Sequence, residues 1–279
     1  MTSEIEINRR AISWFLLLTF VATWSLWGQI WIFDMGPSDL WFLLIEFAGT
    51  LVPGIAALTV IATVLHESWR TTTLDRLGVK RFYLWAWFLP PAFALAAAVL
   101  SILIGTTDLR PDGIVGSSPS HLSAWFVVSQ FGIVIPFAVA EELGWRGFLL
   151  PRLMRSGFGE LQALAATGVV WGVWHVPLII RGYNYPLHPY VGPILMVVFC
   201  VLIGTVIGWL RLASGSVWAA AAAHASVNMA WLVPYYVGGK YDYALGGTIF
   251  SVVGWIPMIV FIAWLASSGR LPVGQAEDR

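Results

Sequence analysis

The feature that most constrains this chain is a succession of long apolar runs, each about the length needed to cross a bilayer. A spanning helix needs roughly 20 mainly apolar residues. Eight segments meet that condition: 11–33, 40–65, 82–105, 122–150, 161–180, 190–210, 217–237 and 248–266. Lipid offers no partner to a backbone N–H or C=O, so only helices and closed barrels can span it. Runs of this length without strand alternation predict helices. The expectation is an all-α, polytopic transmembrane bundle of about eight spans, placed in the cell membrane as a multi-pass protein. Only 11 % of the 279 residues are charged and 17 are tryptophan, a ring favoured where membrane meets water. Formal net charge is zero, so no basic field points to nucleic acid.

Arg9 and Arg10 precede the first run as in a signal peptide, but that run is too long and tryptophan-rich, with no small-residue cleavage site after it. It is expected to stay in the mature protein. Between the runs, basic residues are distributed unevenly. Eleven (Arg9, Arg10, Arg70, Arg76, Lys80, Arg81, Arg152, Arg155, Arg211, Arg270 and Arg279) fall on one side, against Arg110, Arg181 and Lys240 on the other. The positive-inside bias therefore predicts cytoplasmic N- and C-termini. No long Pro/Gly/Ser linker or repeat divides the chain, so residues 1–279 are expected to form one membrane-embedded domain with a motif-bearing core at about 122–237. The single cysteine, Cys200, excludes an intrachain disulfide.

Charged groups inside a span cost about 2.5–3.5 kcal/mol each on insertion scales and usually face the bundle interior, where they mark a site. Glu141, Glu142, Arg146, His175, His224 and Asn228 qualify. Residues four apart share a helix face, so Glu142 is expected to pair with Arg146, while Glu141, rotated by about 100°, points elsewhere. His224 and Asn228 are four apart, as are Trp171 and His175. Glu141 and His175 each lie 17 residues from Phe158, in the turn between the fourth and fifth runs; a hairpin bent there sets them level. His224 is about 10 residues past its own turn, a height that agrees only if the first hairpin protrudes. Glu46 is expected at the membrane interface, and His66, His121 and His188 in solvated positions. Trp171 and Trp174 are expected beside His175, lining a cavity. Pro136, Pro177 and Pro257 are expected kinks.

The three motifs, Glu141-Glu142-x-x-x-Arg146, Trp171-x-x-x-His175 and His224-x-x-x-Asn228, resemble those of the CAAX prenyl endopeptidase / Abi (CPBP) family of intramembrane proteases. That family commonly has phenylalanine where Trp171 stands. The resemblance implies hydrolysis of a peptide bond in a membrane-associated substrate, prenylated CAAX-type or bacteriocin-like. It implies Glu141 as general base with His175 on the water, His224 and Asn228 as oxyanion donors, and Glu142 with Arg146 as support. It leaves two versions open: a metal-free glutamate protease, or a zinc enzyme with Glu141, His175 and His224 as ligands. Two other functions remain open beside it. One is a non-catalytic membrane scaffold or immunity-type protein that kept the fold. The other is a proton-coupled transporter, disfavoured because the polar set is confined to the second half of the chain.

Overall fold

In the computed structural model, which describes residues 2–109, 124–230 and 238–275, the apolar runs become helices. The first three runs form α1 (Thr2–Ile32), α2 (Leu40–Thr50) continued by α3 (Val52–Val60), and α4 (Phe82–Ile104). The rest of the bundle comprises α5 (Ala124–Glu142), α6 (Leu150–Arg155), α7 (Glu160–Trp174), α8 (Val176–Ile180), α9 (Gly192–Ser214), α10 (Val217–Met229) and α11 (Val252–Ser267). A short antiparallel ribbon, β1 (Thr107–Leu109) with β2 (Gly238–Tyr241), is the strand structure among the described residues. The protein is a helical membrane protein.

Four helical stretches among the described residues are long and apolar enough to cross a membrane: Glu4–Ile32, Leu40–Leu65, Phe82–Ile104 and Gly192–Ser214. The other expected spans fall on shorter or interrupted helices. The fourth is carried by α5, a π-helical stretch at Leu143–Leu149, and α6. The fifth breaks at His175, with Pro177 in the first turn of α8, where a missing N–H costs little. Pro136 and Pro257 lie inside helices. The seventh run is helical through Met229, and residues 231–237, like 122–123 and His121, lie outside the described residues.

Packing is tightest between α7 and α9. A Cβ on Gly168 would come 2.6 Å from the Val201 Cα, and one on Gly172 would come 2.5 Å from the Val197 Cα. The two glycines are one helical turn apart and let the backbones touch, which is how membrane helices associate when apolar burial gives no net drive. Large apolar side chains such as Phe88, Leu103 and Ile194 face outward, as lipid contact requires.

Polar contacts gather several turns at one end. Buried Arg152 bonds Asn8 Oδ1 at 2.9 Å and forms a two-pronged ion pair with Glu67. Glu160 accepts from the backbone N–H groups of Val273 and Gly274, and Ser216 Oγ donates to the Arg76 carbonyl. The start of α1 and the chain beyond α11 therefore meet at the same end as the turn after α6. Asp34 and Arg181 pair at 2.8 Å between α1 and the segment after α8.

Candidate active site

Glu141 closes a helix that then changes pitch. α5 ends at Glu142, and Leu143–Leu149 continue as a π-helix, all seven of them buried. Such wide turns are rare and are found mostly at functional sites. Close contacts hold this stretch against α3: a Cβ on Gly144 would come 2.6 Å from Pro53, and one on Gly54 would come 2.7 Å from the Ala140 carbonyl.

The expected Glu142–Arg146 pair is present, with Nη1 to Oε1 at 2.7 Å and both side chains buried. The same Glu142 oxygen accepts from His224 Nδ1 at 2.8 Å. The Arg146 guanidinium stacks over the Trp171 ring, 4.5 Å from its centre. Gly204 on α9 leaves it room, since a Cβ there would come 2.9 Å from Nη2. Arg146, Glu142, Trp171 and His224 thus form one buried block.

Glu141 faces the other way. Its Oε2 accepts from Trp171 Nε1 at 3.0 Å and from Trp145 Nε1 at 3.4 Å, and its Oε1 lies 4.0 Å from His224 Nε2. His224 lies between the two carboxylates, so the height mismatch expected from straight helices is absent. His175, half-buried at the end of α7, places Nδ1 2.8 Å from the Trp171 carbonyl. A carbonyl only accepts, so Nδ1 carries the proton and Nε2 keeps its lone pair. Asn228, one turn beyond His224, is exposed.

All four come together on the wall of one cavity of about 390 Å³, with Trp171 and Trp174 beside them. Trp174 is fully buried, 4.5 Å ring to ring from Trp27. The remaining lining is mainly apolar, including Phe47, Phe137, Leu178 and Met196. A few polar groups converging in an apolar concavity is the usual form of a small-molecule or peptide site.

Two readings need correction, and one residue is new. Glu46 is not interfacial: it is 7 % exposed and lines the same cavity, with Tyr183 Oη donating to it at 3.4 Å. The polar set therefore includes the first half of the chain. His188 is not simply solvated; it is half-buried and its Nε2 contacts both Asp242 oxygens at 2.7 and 2.8 Å. Trp145 escaped notice although it stands four residues after Glu141, the spacing that revealed Arg146.

The zinc alternative would place a metal among Glu141, His175 and His224. Among the described residues, no group of three or more histidine, cysteine, aspartate and glutamate side chains is placed to hold a metal ion. The Nδ1 atoms of His175 and His224 are engaged with Trp171 and Glu142, and two indoles occupy Glu141 Oε2. A carbonyl or carboxylate partner on Nδ1 is also what a histidine binding a metal through Nε2 has.

Residues 119–230, which contain all three motifs, match the family described as type II CAAX prenyl endopeptidase, Rce1-like. Over that segment the chain is similar to this family. The matched segment begins shortly before α5 and ends just past α10, so it encloses every motif residue of the cavity and leaves α1–α4 and α11 outside. A relative from Methanococcus maripaludis, CAAX prenyl protease 2, is 28 % identical over 197 residues, 66 % of this chain and 68 % of the relative. The resemblance read from the three motifs agrees with both findings.

Proposed function

We propose that this chain is a membrane-embedded endopeptidase that cleaves a lipidated, membrane-associated peptide with a water activated at Glu141. The observation that carries the reading is the division of labour within the glutamate pair. Glu142 is committed to Arg146 and His224, whereas Glu141 is aimed into the cavity with only indole N–H donors on one oxygen. The match to CAAX proteases supplies the substrate class, a prenylated protein tail.

In this reading Glu141 takes a proton from water while the oxygen attacks the scissile carbonyl. His175 Nε2, left as an acceptor, takes a second hydrogen bond from that water and orients it. The oxyanion forms beside α10, where the Asn228 amide and a doubly protonated His224, anchored through Nδ1 to Glu142, donate to it. Each such donor is worth about 3–4 kcal/mol of transition-state stabilisation. When the C–N bond breaks, the proton held on Glu141 passes to the leaving amine. Glu142 and Arg146 contact no reacting atom; they fix the angle at which Glu141 and His224 meet.

The test is cleavage of farnesylated peptides by purified wild type and Glu141→Gln, each with and without chelator. A general base contributes about 10²–10⁴-fold, so Glu141→Gln should lose at least that much while melting like wild type. Cleavage is expected to survive chelation. Loss on chelation with recovery on adding zinc would overturn the metal-free step, and an active Glu141→Gln would overturn the assignment of the base.

A further inference from the structure

The cavity holds a second carboxylate that hydrolysis at Glu141 does not use. Glu46, near the middle of α2, is more than nine-tenths buried and reaches the cavity wall. Its side chain has one hydrogen bond among the described residues, a long one of 3.4 Å from Tyr183 Oη to Oε1. Oε2 has no partner there, yet it is not among the sealed, unsatisfied polar atoms, so it opens onto the cavity.

No lysine or arginine among the described residues lines that cavity. Arg146 is turned away and spent on Glu142 and Trp171. Tyr183 offers Glu46 no counter-charge: the neighbouring Glu46 and burial hold its phenol well above the usual tyrosine range, so it remains a neutral O–H donor. A second acceptor lies close in sequence to that tyrosine. Asn184, on the same wall, is held in the left-handed backbone region at φ 58° and its buried Oδ1 has no partner among the described residues.

Buried carboxylates are ordinarily paired, because an isolated one loses its hydration without compensation. Here Glu46 and Asn184 add acceptors to a cavity wall whose proposed cation, His224, is already engaged by Glu142 and close to Glu141. We infer that Glu46, with Asn184 beside it, forms a specificity subsite for a cationic side chain, a lysine or arginine of the substrate, near the bond being cut. The inference rests on the proposed protease reading for its substrate and adds the side chain that substrate would carry. A buried carboxylate without a counter-charge favours a ligand that brings one over a neutral donor, so the preference should be large.

The experiment measures binding, so it does not depend on catalysis. Farnesylated peptides in which a single lysine, glutamine or glutamate is moved position by position are titrated into full-length Glu141→Gln protein. The change in tryptophan fluorescence, from Trp27, Trp171 and Trp174 in the wall, reports occupancy. At one position the lysine peptide should bind at least tenfold more tightly than the glutamine peptide. Adding Glu46→Gln should bring that ratio below threefold, while Glu46→Asp, which keeps the charge, should preserve the preference. Acetylating the peptide lysine should remove its advantage without any change to Glu46, a readout that stands even if Glu46→Gln fails to fold. Absence of a lysine preference at every position, an unchanged ratio in Glu46→Gln, or indifference to acetylation would each overturn the subsite. None of these results bears on whether Glu141 is the base, which cleavage alone decides.

Discussion

At the scale of single residues, Arg146 joins three parts of the site. It neutralises Glu142, covers Trp171 and occupies the space left by Gly204. Removing one member of a buried ion pair costs about 3–5 kcal/mol because the other charge is stranded. Arg146→Ala should therefore lower expression and melting temperature together with activity, whereas Glu141→Gln should lower activity alone. Thermal unfolding of the two purified variants in the same detergent separates these outcomes. The Glu142–Arg146 contact was legible in the sequence because four-residue spacing is a local property of a helix. Trp145 carried the same signal for Glu141 and needed only the same rule. Glu46 carried none, since the depth of a side chain along a span says nothing about a cavity assembled from α2, α5, α7, α9 and α10. His188 lacked a signal for a similar reason: its partner Asp242 is 54 residues away.

At the scale of elements, the α7–α9 contact and the contact between His188 and Asp242 make separate predictions. Gly168→Leu should force those two backbones apart; overpacking of this kind typically costs about 1–3 kcal/mol. Because α7 carries His175, cleavage should fall along with the melting temperature. Gly157→Ala, in the open turn between α6 and α7 with no atom near its would-be Cβ, tests steric crowding separately from backbone strain: its φ of 97° makes any loss there conformational. Asp242 links the segment after β2 to the approach to α9. Burial pushes its carboxyl upward, but the bond to His188 and the Ala244 N–H outweigh this and hold it below the ordinary aspartate range. A carboxyl whose folded pKa is depressed stabilises above its unfolded value, near 3.9, and loses that contribution as pH falls through the folded value. The melting-temperature gap between wild type and Asp242→Asn should thus be present at pH 6 and close as pH falls through that depressed value. The existence of most helices was legible from apolar length. Their interruptions were less so, because the break at His175 and the wide turn at Leu143–Leu149 depend on packing against neighbours.

At the scale of the whole molecule, polar contacts tie the two ends of the chain to the turns between helices. Contacts among Asn8, Glu67, Arg152, Glu160 and Val273 hold one end together, with Asp34 and Arg181 joined elsewhere. Cys200 is buried, so a single introduced cysteine can be labelled without background. Ser268→Cys and Asp34→Cys should react with membrane-impermeant maleimide from opposite sides of sealed vesicles, with residue 268 on the cytoplasmic side; labelling of both from one side would refute the topology. The wide turn between Glu142 and Leu150 has a consequence for evolution and engineering. Bonds running i to i+5 accommodate an extra residue in a turn that α-geometry would close with fewer, so the stretch works as a phase adjuster between two fixed bearings. One bearing is Glu141 against His224; the other is Arg152 against Glu67 and Asn8. Relaxing the stretch to an α-helix with every residue kept, or deleting a residue while the wide turn persists, would turn one bearing against the other by about 100°. Chains sharing this layout should therefore tolerate substitutions in this stretch far more readily than changes in its length.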